Sequence, residues 1–184
     1  LEDAVFHAVN RDMTHCAWQK TNQVNGNPND ARGGLPHHQL WGCNFFSKPD
    51  MRDGHLNGMN GYPNYLIRYL DRKIRTDFGF DWVRFQYCGM NGQIPGQDGT
   101  LHEDTHKGDK GINNITFLFY DQPYWEDDWG GDLIFYDSRC HNEQFGKGIL
   151  ENEEEYEIGR VKYKPNRLVV VNGMITHRHP GPSV

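Results

Sequence analysis

The sequence has little of what marks several common protein classes. Its four cysteines, Cys16, Cys43, Cys88 and Cys140, are widely spaced and form no CxxC pair. That spacing argues against a zinc ribbon or a disulfide framework and favours free thiols in a reducing, cytoplasmic compartment. No apolar run approaches the ~20 residues of a membrane-spanning helix. Lys and Arg number 19 against 25 Asp and Glu, a net charge of -6, and no cluster of bases marks a nucleic-acid face. The opening LEDAVFHAVNRDM has neither the basic start nor the apolar centre of a secretory leader. It begins on Leu1 rather than Met, as expected of a trimmed piece of a longer chain. No internal repeat is evident. Aromatics, by contrast, are plentiful: ten Phe, nine Tyr and five Trp. A chain of 184 residues fits one domain, long enough to bury roughly two-thirds of its unfolded surface.

Three zones follow one another. Residues 1–60 are rich in Gly, Asn and His, with little periodicity, and read as loops around one strand, Gln39–Phe46. The spacing of Leu66, Ile67, Leu70 and Ile74 predicts an amphipathic helix over Tyr62–Phe78, with Pro63 in its first turn. From Asp81 onward short β-forming runs alternate with turns. Trp82–Cys88, Asn114–Tyr120, Asp132–Tyr136, Tyr156–Tyr163 and Arg167–Asn172 are the expected strands. The acidic run Glu151–Glu155 is expected to be a solvated loop face. The pattern is that of an antiparallel sandwich or barrel with a flanking helix.

The chemistry centres on His102–Glu103–Asp104. In an extended segment alternate side chains share a face, so His102 and Asp104 project together and Glu103 turns away. An imidazole and a carboxylate then converge, and one further imidazole would complete a facial two-His, one-carboxylate set. Such a set suits non-haem iron(II) because it leaves coordination positions open. HxD alone is weak evidence. Its context strengthens it: Tyr87–Cys88–Gly89 before it, then Gly130 to Phe135, Arg167–Leu168 and a late histidine, in that order.

In that order of motifs, residues from about 83 to 184 resemble the catalytic core of the prolyl-4-hydroxylase-like branch of the Fe(II)/2-oxoglutarate-dependent dioxygenases. The resemblance implies a double-stranded β-helix, or jelly roll, over residues 81–184, with residues 1–80 as loops and a supporting helix of one catalytic domain. It implies Fe(II), with 2-oxoglutarate and O₂ as cosubstrates and ascorbate in support. The implied reaction is hydroxylation of an unactivated C–H bond, most naturally in a peptidyl proline or another protein side chain; a small-molecule substrate stays open. The implied ligands are His102, Asp104 and His177. His179, two residues on and on the same face of a strand, is the alternative. Tyr87 and Tyr120 match tyrosines that hold the cosubstrate. The family also supplies an Arg or Lys about nine residues after the distal histidine, which falls beyond Val184, so the sequence is expected to stop short of it. Arg84 is no substitute, since it lies three residues from Tyr87 on the opposite face of the expected strand.

Two rival readings remain. One is a metal-binding, cupin-like protein with other chemistry, told apart by dependence on the oxo acid. The other is a non-catalytic binding module on the same fold, told apart by failure to bind a divalent metal. Tyr124, Trp125 and Trp129 either wall a substrate groove or pack onto their own sheet. Asn114–Ile115–Thr116 reads as a chance glycosylation triplet in a strand. His15, His37 and His38 read as exposed loop histidines.

Overall fold

The computed structural model describes residues 1–15, 18–23, 39–46, 64–80, 87–104, 115–140 and 151–183. Two helices and eight strands appear there: α1 (Asp3–Thr14), β1 (Gln19–Gln23), β2 (Gln39–Phe46), α2 (Asn64–Phe78), β3 (Cys88–Gly92), β4 (Ile115–Phe119), β5 (Leu133–Tyr136), β6 (Glu157–Val161), β7 (Leu168–Asn172) and β8 (His177–Arg178). They form three small antiparallel sheets, ordered β1-β2-β3, β4-β7 and β6-β5-β8. The chain is therefore β-rich with a few helices. No described helix is long and apolar enough to cross a membrane.

Of the expected strands after Asp81, those over Asn114–Tyr120, Asp132–Tyr136, Tyr156–Tyr163 and Arg167–Asn172 are found, trimmed at their ends, with residue 114 outside the described set; residues 82–86 of the expected strand Trp82–Cys88 lie outside it too, and of the rest only Cys88 is in a strand. The glycosylation triplet, Arg84, His37 and His38 fall wholly or partly outside it too. Three expectations change. Residues 3–14 form a helix, because Phe6, Val9 and Met13 recur at helical spacing and are buried. Cys88–Gly92, expected to open a glycine-rich loop, is a strand held by β2 through Gly42↔Asn91 and Cys43↔Met90. Tertiary pairing overrides the local preference of its two glycines. Within the acidic run, Glu153–Glu155 forms a 3₁₀ turn, and Glu153 pairs with Arg178 instead of facing solvent alone.

Both helices cover the β4-β7 sheet. Val9 and Met13 of α1 meet Leu70 and Ile74 of α2, and Phe117, Phe119 and Leu168 pack beneath them. Each fully buried side chain of this kind stabilises the fold by roughly 1.5–3 kcal/mol. Alternation along β4 follows: Phe117 and Phe119 face the helices, so Thr116, Leu118 and Tyr120 share the opposite face. A second cluster, Leu101, Ile134, Tyr136 and Cys140, lies behind β5. Cys43, Cys88 and Cys140 are free thiols.

Helix α1 is tied down by polar contacts as well. Asn10 Nδ2 donates to the Asp121 carbonyl at 2.7 Å, and Asn166 Nδ2 donates to the Leu1 carbonyl at 2.8 Å. Asp121 Oδ1 is buried with no hydrogen-bond partner among the described residues. Burial pushes the carboxyl up to about 7, against the opposing hydrogen bond from Asn10. A raised folded-state pKa gives stability that is complete below the unfolded value near 4 and lost as pH rises through about 7. Asp121→Asn should therefore be more stable than the parent at pH 8, by about 1–2 kcal/mol once partial solvation is allowed for, and the gain should shrink at pH 5. Thermal melts of both proteins across pH 5–8 check this; parallel pH profiles would refute it.

Candidate metal centre

Two chain segments meet at the site. His102 and His177 form an antiparallel backbone bridge, each amide donating to the other's carbonyl at 3.0 Å. Two further bonds extend the contact: Gly99 N–H to the His179 carbonyl at 2.7 Å and Asp104 N–H to the Gly173 carbonyl at 2.9 Å. The bridge sets the two imidazoles side by side, ring centroids 4.4 Å apart. Asp104, two residues on from His102, closes the third side. Its Oδ1 lies 3.5 Å from His102 Nε2 and its Oδ2 lies 3.6 Å from His177 Nε2. One potential ligand atom from each residue lies within 4.8 Å of the others.

The ring tautomers are set from outside the group. His102 Nδ1 donates to the Thr100 carbonyl at 2.7 Å and His177 Nδ1 to the Ile175 carbonyl at 2.8 Å. Each Nε2 therefore keeps a lone pair pointed at the shared space, as backbone carbonyls arrange for metal-binding histidines. Protonation cannot satisfy both Nε2 atoms, since two imidazolium rings so close would repel. Burial lowers His177, and His102 lowers it further. Burial also acts to lower His102, but the Asp104 carboxylate and the Thr100 carbonyl outweigh it, and the net shift is upward. Asp104 is opposed by burial yet held down at about 2 by His102, His177 and a hydrogen bond from the Thr116 hydroxyl. A single divalent cation would satisfy all three groups at once, so the donor set fits a metal.

The structure thus brings together His102, Asp104 and His177, and leaves His179 outside the group. The reason is register. His177 is the bridge partner of His102, whereas His179 lies past it, where its carbonyl accepts from Gly99 N–H and from Gln93 Nε2 at 3.0 Å. Its ring is half-buried, desolvation holds the imidazole down at about 3, and it stands edge-on to Tyr120 with centroids 6.1 Å apart. Tyr120 is only 6% exposed, and its hydroxyl has no hydrogen-bond partner among the described residues. Burial pushes that phenol well above its usual range. Tyr87 is 52% exposed at the head of β3, with Cys88 and Cys43 near its hydroxyl. Thr116 was not singled out from the sequence; its signal is that it shares strand parity with Tyr120.

Above the site, aromatic rings stack in a column. Tyr120 stacks on Tyr163 at 4.3 Å, and Tyr163 on Trp125 at 4.1 Å. Trp125 meets Trp129 at 5.4 Å and donates from Nε1 to the Gly130 carbonyl at 3.0 Å. The Tyr124–Trp129 loop therefore packs onto its own sheet, leaving Tyr124 60% exposed. Gly130 and Gly131, at φ 72° and 75°, make the left-handed turn that brings the chain back beneath Trp125. His15, expected to be exposed, is so, with Nδ1 2.6 Å from the Arg11 carbonyl. In comparisons with protein-family models, curated proteins and solved structures, none matches the chain, so its function is read from the site alone.

Proposed function

We propose that this chain is a non-haem iron(II), 2-oxoglutarate-dependent dioxygenase on a double-stranded β-helix. In this reading it hydroxylates an unactivated C–H bond, in a peptidyl proline or another protein side chain. The observation that carries the reading is the convergence of His102 Nε2, His177 Nε2 and the Asp104 carboxylate on one point. A three-ligand set of this composition leaves positions open for exogenous ligands. Ferrous ion held there, with 2-oxoglutarate, O₂ and supporting ascorbate, supplies the oxidising chemistry.

The chain's own groups do the rest. The Thr100 and Ile175 carbonyls keep both imidazoles in the tautomer that presents Nε2. Thr116 steadies the carboxylate. Tyr120 offers a buried phenol O–H that lacks an acceptor, suited to a carboxylate of the oxo acid, while its ring is fixed by Tyr163. The Trp125–Tyr163–Tyr120 stack holds the Tyr120 ring in place.

Purified protein with Fe(II), ascorbate and 2-oxoglutarate should release succinate, and without O₂ should show a weak visible charge-transfer band. Metal binding without either signal would point to other chemistry on the same ligands. Tyr120→Phe makes a sharper test. It should weaken 2-oxoglutarate binding by about tenfold, because a charge-assisted hydrogen bond is lost. It should also leave the cosubstrate-free fold as stable as the parent or up to about 1 kcal/mol more so, since an unpaired buried hydroxyl is removed. Unchanged oxo-acid affinity would remove Tyr120 from the site.

A further inference from the structure

The backbone bridge that carries the ligands has a second face. His102 and His177 exchange both backbone hydrogen bonds, so the next pair along the ladder, Glu103 and Thr176, is a non-hydrogen-bonded pair. In such pairs side chains approach most closely. Because neighbours alternate, the imidazoles of 102 and 177 point to one face and the side chains of 103 and 176 to the other. Thr176 is 3% exposed, and its hydroxyl donates to Glu103 Oε1 at 3.2 Å. Backbone bonds bracket this contact. Asp104 N–H donates to the Gly173 carbonyl at 2.9 Å, one residue after Glu103, and the Thr176 carbonyl accepts from Tyr136 N–H of β5 at 2.9 Å. Past this point the ladder breaks: Asp104 bonds back to Gly173, not to the residue that regular pairing would place opposite it. The bridge is therefore a short, isolated contact, and the Glu103–Thr176 side-chain bond is its closure on the face away from the ligands.

We infer that Glu103 is a positioning residue: its hydrogen bond with Thr176 clamps the His102–Asp104 segment to the His177 segment and so fixes the spacing of the three metal ligands. Glu103 does not touch the metal, and Asp104 alone supplies the ligand charge. What Glu103 supplies is an acceptor at one place. A glutamine, whose amide oxygen also accepts, though more weakly than a carboxylate, keeps that role; an alanine does not. Thr176→Val removes the donor while keeping the branched side chain that fits the buried position. This inference rests on the metal-site reading above.

The test is Co(II) binding, followed by calorimetry and by the visible spectrum of the bound ion, on the parent, Glu103→Ala, Glu103→Gln, Thr176→Val and the Glu103→Ala/Thr176→Val double variant. Circular dichroism and thermal melts accompany each. Glu103→Ala and Thr176→Val should each weaken Co(II) binding by about tenfold, as loss of a group that orients metal ligands does. The double variant should bind no worse than either single one, because both remove the same bond. Glu103→Gln should stay within about threefold of the parent with an unaltered spectrum. Single variants that bind like the parent, or losses that multiply in the double variant, would overturn the clamp while leaving the metal site intact. A parent chain that binds no Co(II) would overturn both. A variant that melts early yet keeps its affinity would mark Glu103 as structural only and also overturn the inference.

Discussion

On the function proposed above, Asp104→Ala is expected to abolish succinate release and to reduce divalent-metal binding by more than the ~10–100-fold that loss of a supporting partner costs. Asp104 is the one anion in the group, and both imidazoles aim their Nε2 atoms at its two oxygens. Removing it leaves only two neutral nitrogens, with one ligand and the site's negative charge lost, too few donors to hold a divalent ion tightly. The metal-free fold should survive at neutral pH, since the bridge beneath the ligands is made of backbone bonds. The acid limb should change. A carboxyl held down at about 2 contributes stability that is complete above the unfolded value near 4 and is lost as pH falls toward 2. The alanine variant lacks that contribution, so its advantage or deficit against the parent should vary between pH 5 and 2, with a second change in the imidazole range because Asp104 also raises His102. Calorimetric metal titration, succinate assay and acid unfolding read the three parts separately. Parent-like metal affinity in the variant would end the case for the centre.

Gly181→Ala should be the most destabilising single methyl in the described chain. A Cβ at that position would stand 1.9 Å from the Gln97 carbonyl oxygen, far inside contact distance. The neighbour is backbone, so it cannot rotate away. The segment is also fastened on both sides: Gly181 N–H donates to Asp98 Oδ1 at 2.8 Å, and Gly99 N–H to the His179 carbonyl. Relief requires the 97–99 and 179–181 segments to part, which costs about 3 kcal/mol or more. The same parting would shift Thr100, whose carbonyl sets the His102 tautomer, so metal affinity should fall along with the melting temperature. Melting curves and Co(II) titration of the variant check both; a melting temperature within a degree of the parent would show that the backbone gives way freely.

Most of the β-rich plan and the candidate ligands were legible because they are written locally. The strands carry β-branched and aromatic runs, and the HxD alternation needs only two neighbouring residues to project together. What escaped the sequence depends on distant partners. β1, Gln-Lys-Thr-Asn-Gln, is wholly polar, and only its pairing with β2 makes it a strand. β3 is glycine-rich and likewise borrows its shape from β2. Helix α1 did carry a signal, Phe6, Val9 and Met13 at helical spacing, short and set among polar residues. His177 and His179 share a face, so periodicity could not separate them. The separation came from which residue the bridge sets opposite His102. Glu153 looked like one of several solvated acids, and only the fold reveals Arg178 and Tyr136 waiting for it.

The ligand set is divided between stretches of chain that are remote in sequence and touch at a single isolated bridge. A compact finger can capture its ion while still half made, because all its donors lie close together along the polypeptide. Here the donors at 102 and 104 stay an incomplete pair until residue 177 has been synthesised and docked. During translation the nascent chain would pass through a long metal-silent interval. Metal loading would then report that these two segments had docked, with little hazard of trapping an early, wrongly metallated intermediate.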